Sequence, residues 1–524
     1  MKARVRQQRR RGRWRSPAMM LMAAACCGCA MSAENNRAVL ETKASVAAMT
    51  PPQWVAGGDG AGGEIRPQWW QELGDPTLDA LILEALASNL DLQQAAARVL
   101  AAQAEARIAG ADLYPQLQLG TNAARSRQVF TGFPDIVPTA TNADGGTTNA
   151  DSGPLSSTSN NFGVSLDLSW ELDLWGRIRA THKAAAAEAE AARVAYEGAR
   201  LSLAAQVAKA WFALVEAREQ LALAEATRQS YLQSSAHVTE RYERGTRSPL
   251  DVRLSLTQTS AADARVAQRR SLLERTARQL EVLLGRYPAA DLVPTGALDQ
   301  PVAAVPAGIP AELLARRPDL AEAEQRVFAA DRRLYAARAS LLPRLAITGS
   351  AGTLSDDLAD LLDGDFAVWT IAANLVQPLF QGGRLRGAVA RADAGTHASM
   401  AEYASVALRA FSEVETALAD ERHLAQIVDA LARAAEQSEA AEQLAAERYY
   451  GGLESYVTVL QAQRSSLEAR AALLDARRQR LETRINLYLA LGGGFAAPAT
   501  TDRGGHDAGR REARNAPSST GEPA

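Results

Sequence analysis

Few side chains in this 524-residue chain are placed to do bond chemistry. Its five histidines, His182, His237, His397, His423 and His506, form no metal-ligand spacing. No glycine-rich phosphate loop follows a strand-like segment. The 60 aspartates and glutamates are scattered along helical faces, where solvation accounts for them. Only Met31, Met49 and Met400 lie beyond the cysteines, so no methionine-rich copper path is visible. The three cysteines, Cys26, Cys27 and Cys29, cluster near the start and none follows them. The body therefore has neither a disulfide framework nor thiol chemistry. These residues point away from an enzyme and from any metal or cofactor.

The cysteines have a chemistry of their own. They end a leader in which a basic stretch, Met1–Arg15, precedes a short apolar run, Pro17–Cys26. The run is too short to span a bilayer, which takes ~20 apolar residues, and the pair reads as a secretory signal over residues 1–28. Small residues leading into a cysteine resemble a bacterial lipobox, in which the cysteine is acylated, palmitate included, and becomes the new first residue. Gly28-Cys29 has the usual local form; Cys26 after Ala23-Ala24-Ala25 is the alternative. The formal charge of −3 hides the leader's asymmetry, Lys2 and seven arginines; without it, 49 basic residues face 60 acidic ones. A net −11 in the body excludes a generic basic nucleic-acid binder. No later segment reads as a transmembrane helix, which excludes a multi-span pump. An exported chain of this kind is either periplasmic or built into the outer membrane from strands.

A duplication organises the body. Asp91-Leu92, Arg98-Val99 and Tyr114-Pro115 return as Asp319-Leu320, Arg326-Val327 and Leu342-Pro343, an offset of 228. Gly176-Arg177-Ile178-Arg179 returns as Gly383-Arg384-Leu385-Arg386 at an offset of 207, as does Arg241–Gly245 at Arg448–Gly452. The 21 extra residues of the first copy fall in 131–161, rich in Thr, Asn, Ser, Gly and Pro, and predict a long exposed loop. The organisation expected is a linker over 29–68, a first repeat over 69–285, a Pro-rich linker over 286–310, a second repeat over 311–494 and a disordered tail over 495–524.

Each repeat has a helix of moderate length (78–111; 311–341), two strands, a very long helix, a tight turn and a returning helix (250–284; 457–491). In the long helix Leu203, Val207, Trp211, Leu214 and Leu221 make a heptad-like stripe. The 66 residues from Gly176 to Arg241 would reach roughly 100 Å at ~1.5 Å per residue. In 164–174 the even positions are Val164, Leu166, Leu168, Trp170, Leu172 and Leu174, and the odd ones are Ser165, Asp167, Ser169, Glu171 and Asp173. That alternation predicts a strand with one oily and one wet face. Trp369, Ile371, Ala373 and Leu375 repeat it against Thr370, Ala372 and Asn374. Transmembrane strands need ~9–11 such residues, although a half-buried soluble sheet alternates in the same way. Four strands cannot close a barrel, so chains must pool them. Arg177, Arg179, Arg384 and Arg386 follow the second strand of each copy, either marking a strand-to-helix corner at the membrane or simply solvating a helix end. Trp170, Trp175, Trp369 and Phe380 suit an interfacial aromatic belt or ordinary packing.

The run Trp69-Trp70-Gln71-Glu72-Leu73-Gly74-Asp75-Pro76-Thr77-Leu78-Asp79-Ala80-Leu81 resembles the entry motif of the NodT/OprM-type outer-membrane efflux lipoproteins, relatives of TolC. So does Ile309-Pro310-Ala311-Glu312-Leu313-Leu314-Ala315-Arg316-Arg317-Pro318-Asp319-Leu320. The resemblance covers residues 69–494. It implies a mainly α fold with a membrane β-barrel: a homotrimer whose twelve strands, four per chain, cross the outer membrane and continue as a periplasmic α-helical barrel. It further implies a passive exit duct for small molecules and drugs, hence antibiotic resistance. Its partners would be outer-membrane lipid, a periplasmic adaptor (membrane fusion) protein and an inner-membrane pump of the resistance-nodulation-division class. A duct for type I protein secretion is the neighbouring reading, and a structural periplasmic coiled-coil lipoprotein the remote one. In such channels the periplasmic end is gated where an acid after the first turn meets a tyrosine before the second; Asp251 and Tyr449 stand in those places. Gly245, Thr246, Gly452 and Leu453 resemble the adaptor-contact tips. Val164, Leu166, Leu168, Trp170, Trp369 and Ile371 would face lipid. The acids that the family often carries past the second turn are absent, since Thr458 and Gln461 occupy those positions.

Overall fold

The computed structural model describes residues 37–57, 65–130, 155–246, 248–299, 305–306 and 308–494. The signal region, Cys26, Cys29, most of the expected loop and the whole expected tail lie outside them. Among the described residues the helices are α1 (Arg37–Met49), α2 (Pro76–Ser88), α3 (Leu90–Ala111), α4 (Arg177–Glu243), α5 (Pro249–Leu283), α6 (Pro310–Arg316), α7 (Pro318–Ala339), α8 (Arg384–Tyr450) and α9 (Tyr456–Ala490). The strands are β1 (Gln116–Phe130), β2 (Leu155–Leu172), β3 (Arg344–Ser355) and β4 (Ala367–Val376). The order helix pair, strand pair, long helix, returning helix occurs twice. Both long helices have 67 residues and both returning helices 35. None of the described helices is long and apolar enough to cross a membrane.

Three boundaries differ from the sequence reading. The first helix breaks at Asn89, whose Oδ1 accepts from Leu92 N (2.9 Å) and whose amide donates to the Leu283 carbonyl (2.9 Å). Its counterpart breaks at Arg317, extended at φ −100°, ψ 128°, because Pro318 disfavours the helical region for the residue before it. The loop expected over 131–161 is corrected at its end: strand β2 already begins at Leu155, and it stops at Leu172, short of Leu174.

The chain forms two compact units, each drawing on both repeats. Of the described residues, one unit comprises 37–49, 93–130, 155–196 and 322–407 and holds the four-stranded sheet. Its helical part packs on small side chains of α4, with Ile178, Ala180, Ala184, Ala187, Ala191 and Val194 all buried. The other comprises the described residues within 50–92, 197–321 and 408–494. Its core takes four of the five stripe positions: Leu203, Val207, Trp211 and Leu214 are buried, while Leu221 is only half-buried. Asp75 caps α2 through Thr77 N and receives the Trp211 indole N–H at 2.8 Å. Trp69 stacks on Tyr488, and the Tyr488 hydroxyl donates to Glu72. Burial, with the Glu72 hydrogen bond and charge adding to it, raises the Tyr488 pKa. The Trp69–Leu73 entry motif is therefore a packing element of this unit.

Candidate functional site

The sheet is antiparallel throughout, in the order β1-β2-β3-β4. Directly paired residues share a face, so the register sorts every side chain. One set of rows is apolar: Leu117–Leu168–Gly349–Ile371, Leu119–Leu166–Ala351–Trp369, and Leu172–Leu345–Leu375. The rows between are polar: Gln118–Asp167–Ser350–Thr370 and Gln116–Ser169–Thr348–Ala372. Val164, Leu166, Leu168, Trp170, Trp369 and Ile371 thus fall together on the apolar face. It is open in the chain, with Trp369 77% and Ile371 67% exposed. The band runs from Leu172 to Phe162, about 34 Å along the strand at ~3.4 Å per residue. β1 and β4 each keep an edge that pairs with no described strand.

Side chains anchor the strand ends. Trp170 Nε1 donates to the Leu113 carbonyl (3.1 Å) and Trp175 Nε1 to that of Pro343 (2.6 Å), while Phe380 is left 90% exposed. The arginines after β2 are tied within the chain. Arg177 pairs with Glu171 at 2.9 Å and Arg179 with Asp173 at 3.1 Å, and Asp173 also accepts from the backbone N–H groups of Ile178 and Arg179 at the start of α4. In the second repeat Arg384 donates instead to Gln381.

In the other unit the two helix hairpins end in matching turns. Thr246 N donates to Arg241 O (3.0 Å) and Gly245 N to Tyr242 O (2.8 Å); Leu453 N donates to Arg448 O (2.9 Å) and Gly452 N to Tyr449 O (3.0 Å). This paired closure needs a left-handed residue, which Gly245 (φ 74°) and Gly452 (φ 78°) supply. Ser248 and Ser455 then cap α5 and α9. Leu453 projects, 73% exposed.

Behind the turns lies a core of Val238, Ala445, Tyr449, Tyr456 and Val459, with Val252 and Leu460 packed on it. Tyr449 is 2% exposed, and its ring centroid lies 5.4 Å from that of Tyr456 and 5.8 Å from that of Tyr450. Asp251, half-buried in the first turn of α5, sits beside this cluster. Burial raises the Tyr456 pKa most; the neighbouring Tyr449, Tyr231 and Tyr450 add to the rise, and the Asp251 charge adds least. Sequence reasoning singled out Asp251 and Tyr449 but missed two groups here. Arg241, read only as a marker of the repeat, donates from α4 to the carbonyls of Tyr449 (3.2 Å) and Tyr450 (2.5 Å) at the end of α8, and its guanidinium lies 5.5 Å from the Tyr449 ring centroid. Glu454 is the second. Its carboxylate accepts from Ser455 N (3.1 Å) and from the Thr458 hydroxyl (3.0 Å). The backbone hydrogen bond chiefly, then the Thr458 hydroxyl, lowers its pKa. Thr458, read as a missing acid, holds one.

A four-stranded sheet with one oily face and, among the described strands, two unpaired edges, in a chain that also forms two long helix hairpins, fits the class of outer-membrane channel subunits. The comparisons agree. This chain belongs to the outer membrane efflux protein family, whose pattern matches residues 81–286 and 309–493. It is 33% identical over 429 residues to the toluene efflux pump outer membrane protein TtgF of Pseudomonas putida, covering 82% of this chain and 85% of that one. The solved outer-membrane channel OprN is similar in structure at a TM-score of 0.76, with 27% identity over 85% of this chain and 96% of that one. The open state of the MtrE outer membrane channel of Neisseria gonorrhoeae gives a TM-score of 0.72 and 29% identity over 85% of this chain and 96% of that one.

Proposed function

We propose that this chain is the passive exit duct of a tripartite efflux system, acting as a homotrimer. The observation that carries the reading is the sheet: an oily face with two edges that no described strand covers. In hydrocarbon an unsatisfied backbone group costs several kcal/mol, and three copies pairing β1 to β4 give a closed twelve-stranded barrel. At a strand tilt of ~40° the apolar band stands about 26 Å tall, close to the ~25 Å of outer-membrane barrels. The equal lengths of the paired helices support a tandem duplication, with α4, α5, α8 and α9 of each copy forming a helical barrel through the periplasm. Gly245, Thr246, Gly452 and Leu453 would meet a periplasmic adaptor, which joins the duct to an inner-membrane pump of the resistance-nodulation-division class. That pump supplies the energy, and the duct changes no bond. Small apolar compounds are the proposed cargo, as the name of the toluene-efflux relative suggests.

Asp251 and Tyr449 would close the periplasmic end, the carboxylate accepting from the phenol of a neighbouring helix pair. The packing of Val252, next to Asp251 in sequence, on the core that holds Tyr449 supports this. An acyl group on Cys29, or on Cys26, would anchor each chain, and mass spectrometry of the mature amino terminus distinguishes them. The duct itself is tested in outer-membrane fractions on gels run without heating. A trimer that falls to monomer on boiling is expected; a monomer recovered in the soluble fraction would overturn the reading.

A further inference from the structure

The apolar face of the sheet carries two charges among the described strand residues, and both lie at one end. The positions sharing that face on β1 are Leu117, Leu119, Thr121, Ala123, Arg125, Arg127 and Val129, paired with Leu168, Leu166, Val164, Phe162, Asn160, Thr158 and Ser156 of β2. The corresponding positions of β3 and β4, Leu345 through Ser355 and Ala367 through Leu375, are uncharged. Arg127 confirms its side by donating to the Ser156 hydroxyl at 3.1 Å, a diagonal neighbour on the same face. Ser126 meets Ser159 on the opposite one.

We propose that Arg125 and Arg127 bind the phosphate groups of anionic glycolipid in the outer leaflet of the outer membrane. The proposal rests on the barrel reading above, which puts this face toward lipid and the β1–β2 hairpin outside the cell. Arg125 and Arg127 lie two and four residues beyond Phe162, where the oily band ends. At ~3.4 Å per residue and ~40° of tilt they stand about 5 and 10 Å above the hydrocarbon edge, the depth of the headgroup layer. A guanidinium fork matches a phosphate in two parallel hydrogen bonds. The paired positions on β2 offer the Asn160 amide and the Thr158 hydroxyl, and the diagonal one the Ser156 hydroxyl, so no described carboxylate on this face competes for the arginines. The opposite end of the same face ends in Leu172, Leu345 and Leu375 and carries no cation. The asymmetry fits a bilayer whose phosphorylated glycolipid is confined to the outer leaflet. The competing partner is the β3–β4 connection of a neighbouring copy, which carries Asp356, Asp357, Asp360, Asp363 and Asp365.

The test compares trimers of the parent chain, R125Q/R127Q and R125K/R127K, purified from outer membranes in mild detergent. Each is scored for retention on vesicles of bisphosphorylated lipid A, of dephosphorylated lipid A and of phosphatidylcholine. Near a membrane surface each cation contributes enough that two should change retention about ten- to thirty-fold per subunit. The parent trimer should favour the phosphorylated vesicles by at least that factor, R125Q/R127Q should lose the preference, and R125K/R127K should keep part of it. Equal retention of the parent and R125Q/R127Q overturns the proposal. So does a glutamine variant whose trimer loosens while its lipid A preference persists, since the arginines would then serve the neighbouring copy. Should the glutamine variant fail to assemble, a lysine variant with no preference for phosphate overturns it alone. A parent chain that forms no membrane trimer refutes the barrel, a separate result.

Discussion

Replacing Arg241 with alanine removes the clip that holds the end of α4 to the end of α8. The guanidinium donates two hydrogen bonds to the last carbonyls of α8 and lies over the Tyr449 ring. A cation at a helix C-terminus contributes about 0.3–1 kcal/mol, and a partly wet cation–π contact about 0.5–1. The two favour the same geometry, so about 1–2 kcal/mol per subunit is the reasonable loss. The tyrosine rings remain packed, so the tips should loosen without unfolding. If three tips open together, the loss triples and the opening equilibrium shifts by about two to four powers of ten. R241A should therefore raise single-channel conductance in planar bilayers and speed hydrogen exchange at the ends of α4 and α8. R241K keeps the charge but loses the fork and should fall between. Parent-like conductance together with parent-like exchange in R241A would refute the clip.

Other consequences are as direct. Leu168→Arg puts a charge near the middle of the oily band, at a cost of ~2–4 kcal/mol, whereas Ser169→Arg falls on the polar face two residues from Asp167; L168R should lose unboiled trimer and S169R should retain it, and equal assembly would contradict the face assignment. Asp167 hydrogen-bonds to the Ser165 hydroxyl at 2.8 Å, whereas the other acid on its face, Glu171, is paired with Arg177. Three such carboxylates ~10 Å from a pore axis should favour cations about fivefold in ~0.1 M salt, so D167N should bring the reversal potential in a KCl gradient close to zero, and an unchanged potential would refute this. Because its hydrogen bonds lower the Glu454 pKa, the cap it makes is fully present above the ordinary 4.5 and lost as pH falls through the lowered value. Exchange at the second tip should accelerate on acidification below 4.5 in the parent and not in E454Q, and parallel profiles would count against it.

The legible parts of the fold are those where one physical pattern runs unopposed. The alternation of Val164–Leu172 announced a two-faced strand because one face must be oily. The same strand continues back to Leu155 through Ser156-Ser157-Thr158-Ser159-Asn160-Asn161, where both faces are polar. Alternation vanishes there while the ladder of backbone hydrogen bonds goes on, so the segment read as loop. The break before Pro318 had a signal in the proline itself, which the expectation of one helix over 311–341 passed over, whereas Asn89 could not be told from a helical residue without the Leu283 carbonyl that holds it. The tip glycines were legible because a left-handed turn demands them. Arg241 was not, because its acceptors lie 208 and 209 residues away in sequence. Thr458 looked like a lost acid until Glu454, four residues earlier, turned back to it.

The central claim is that three copies close one barrel by pairing β1 to β4. The body carries no cysteine, so introduced thiols report this pairing without interference. Within a chain β1 and β4 lie three strand spacings apart, about 14 Å, beyond the reach of a disulfide. Single cysteines at Gln116, Gln118 and Asn122 of β1, combined in turn with cysteines at Thr370, Ala372 and Asn374 of β4, should cross-link between copies in at least one combination. The account predicts an oxidised ladder in outer membranes that ends at a covalent trimer. A ladder that stops at dimer, one that continues past three, or no β1–β4 cross-link at any of the pairs would contradict it.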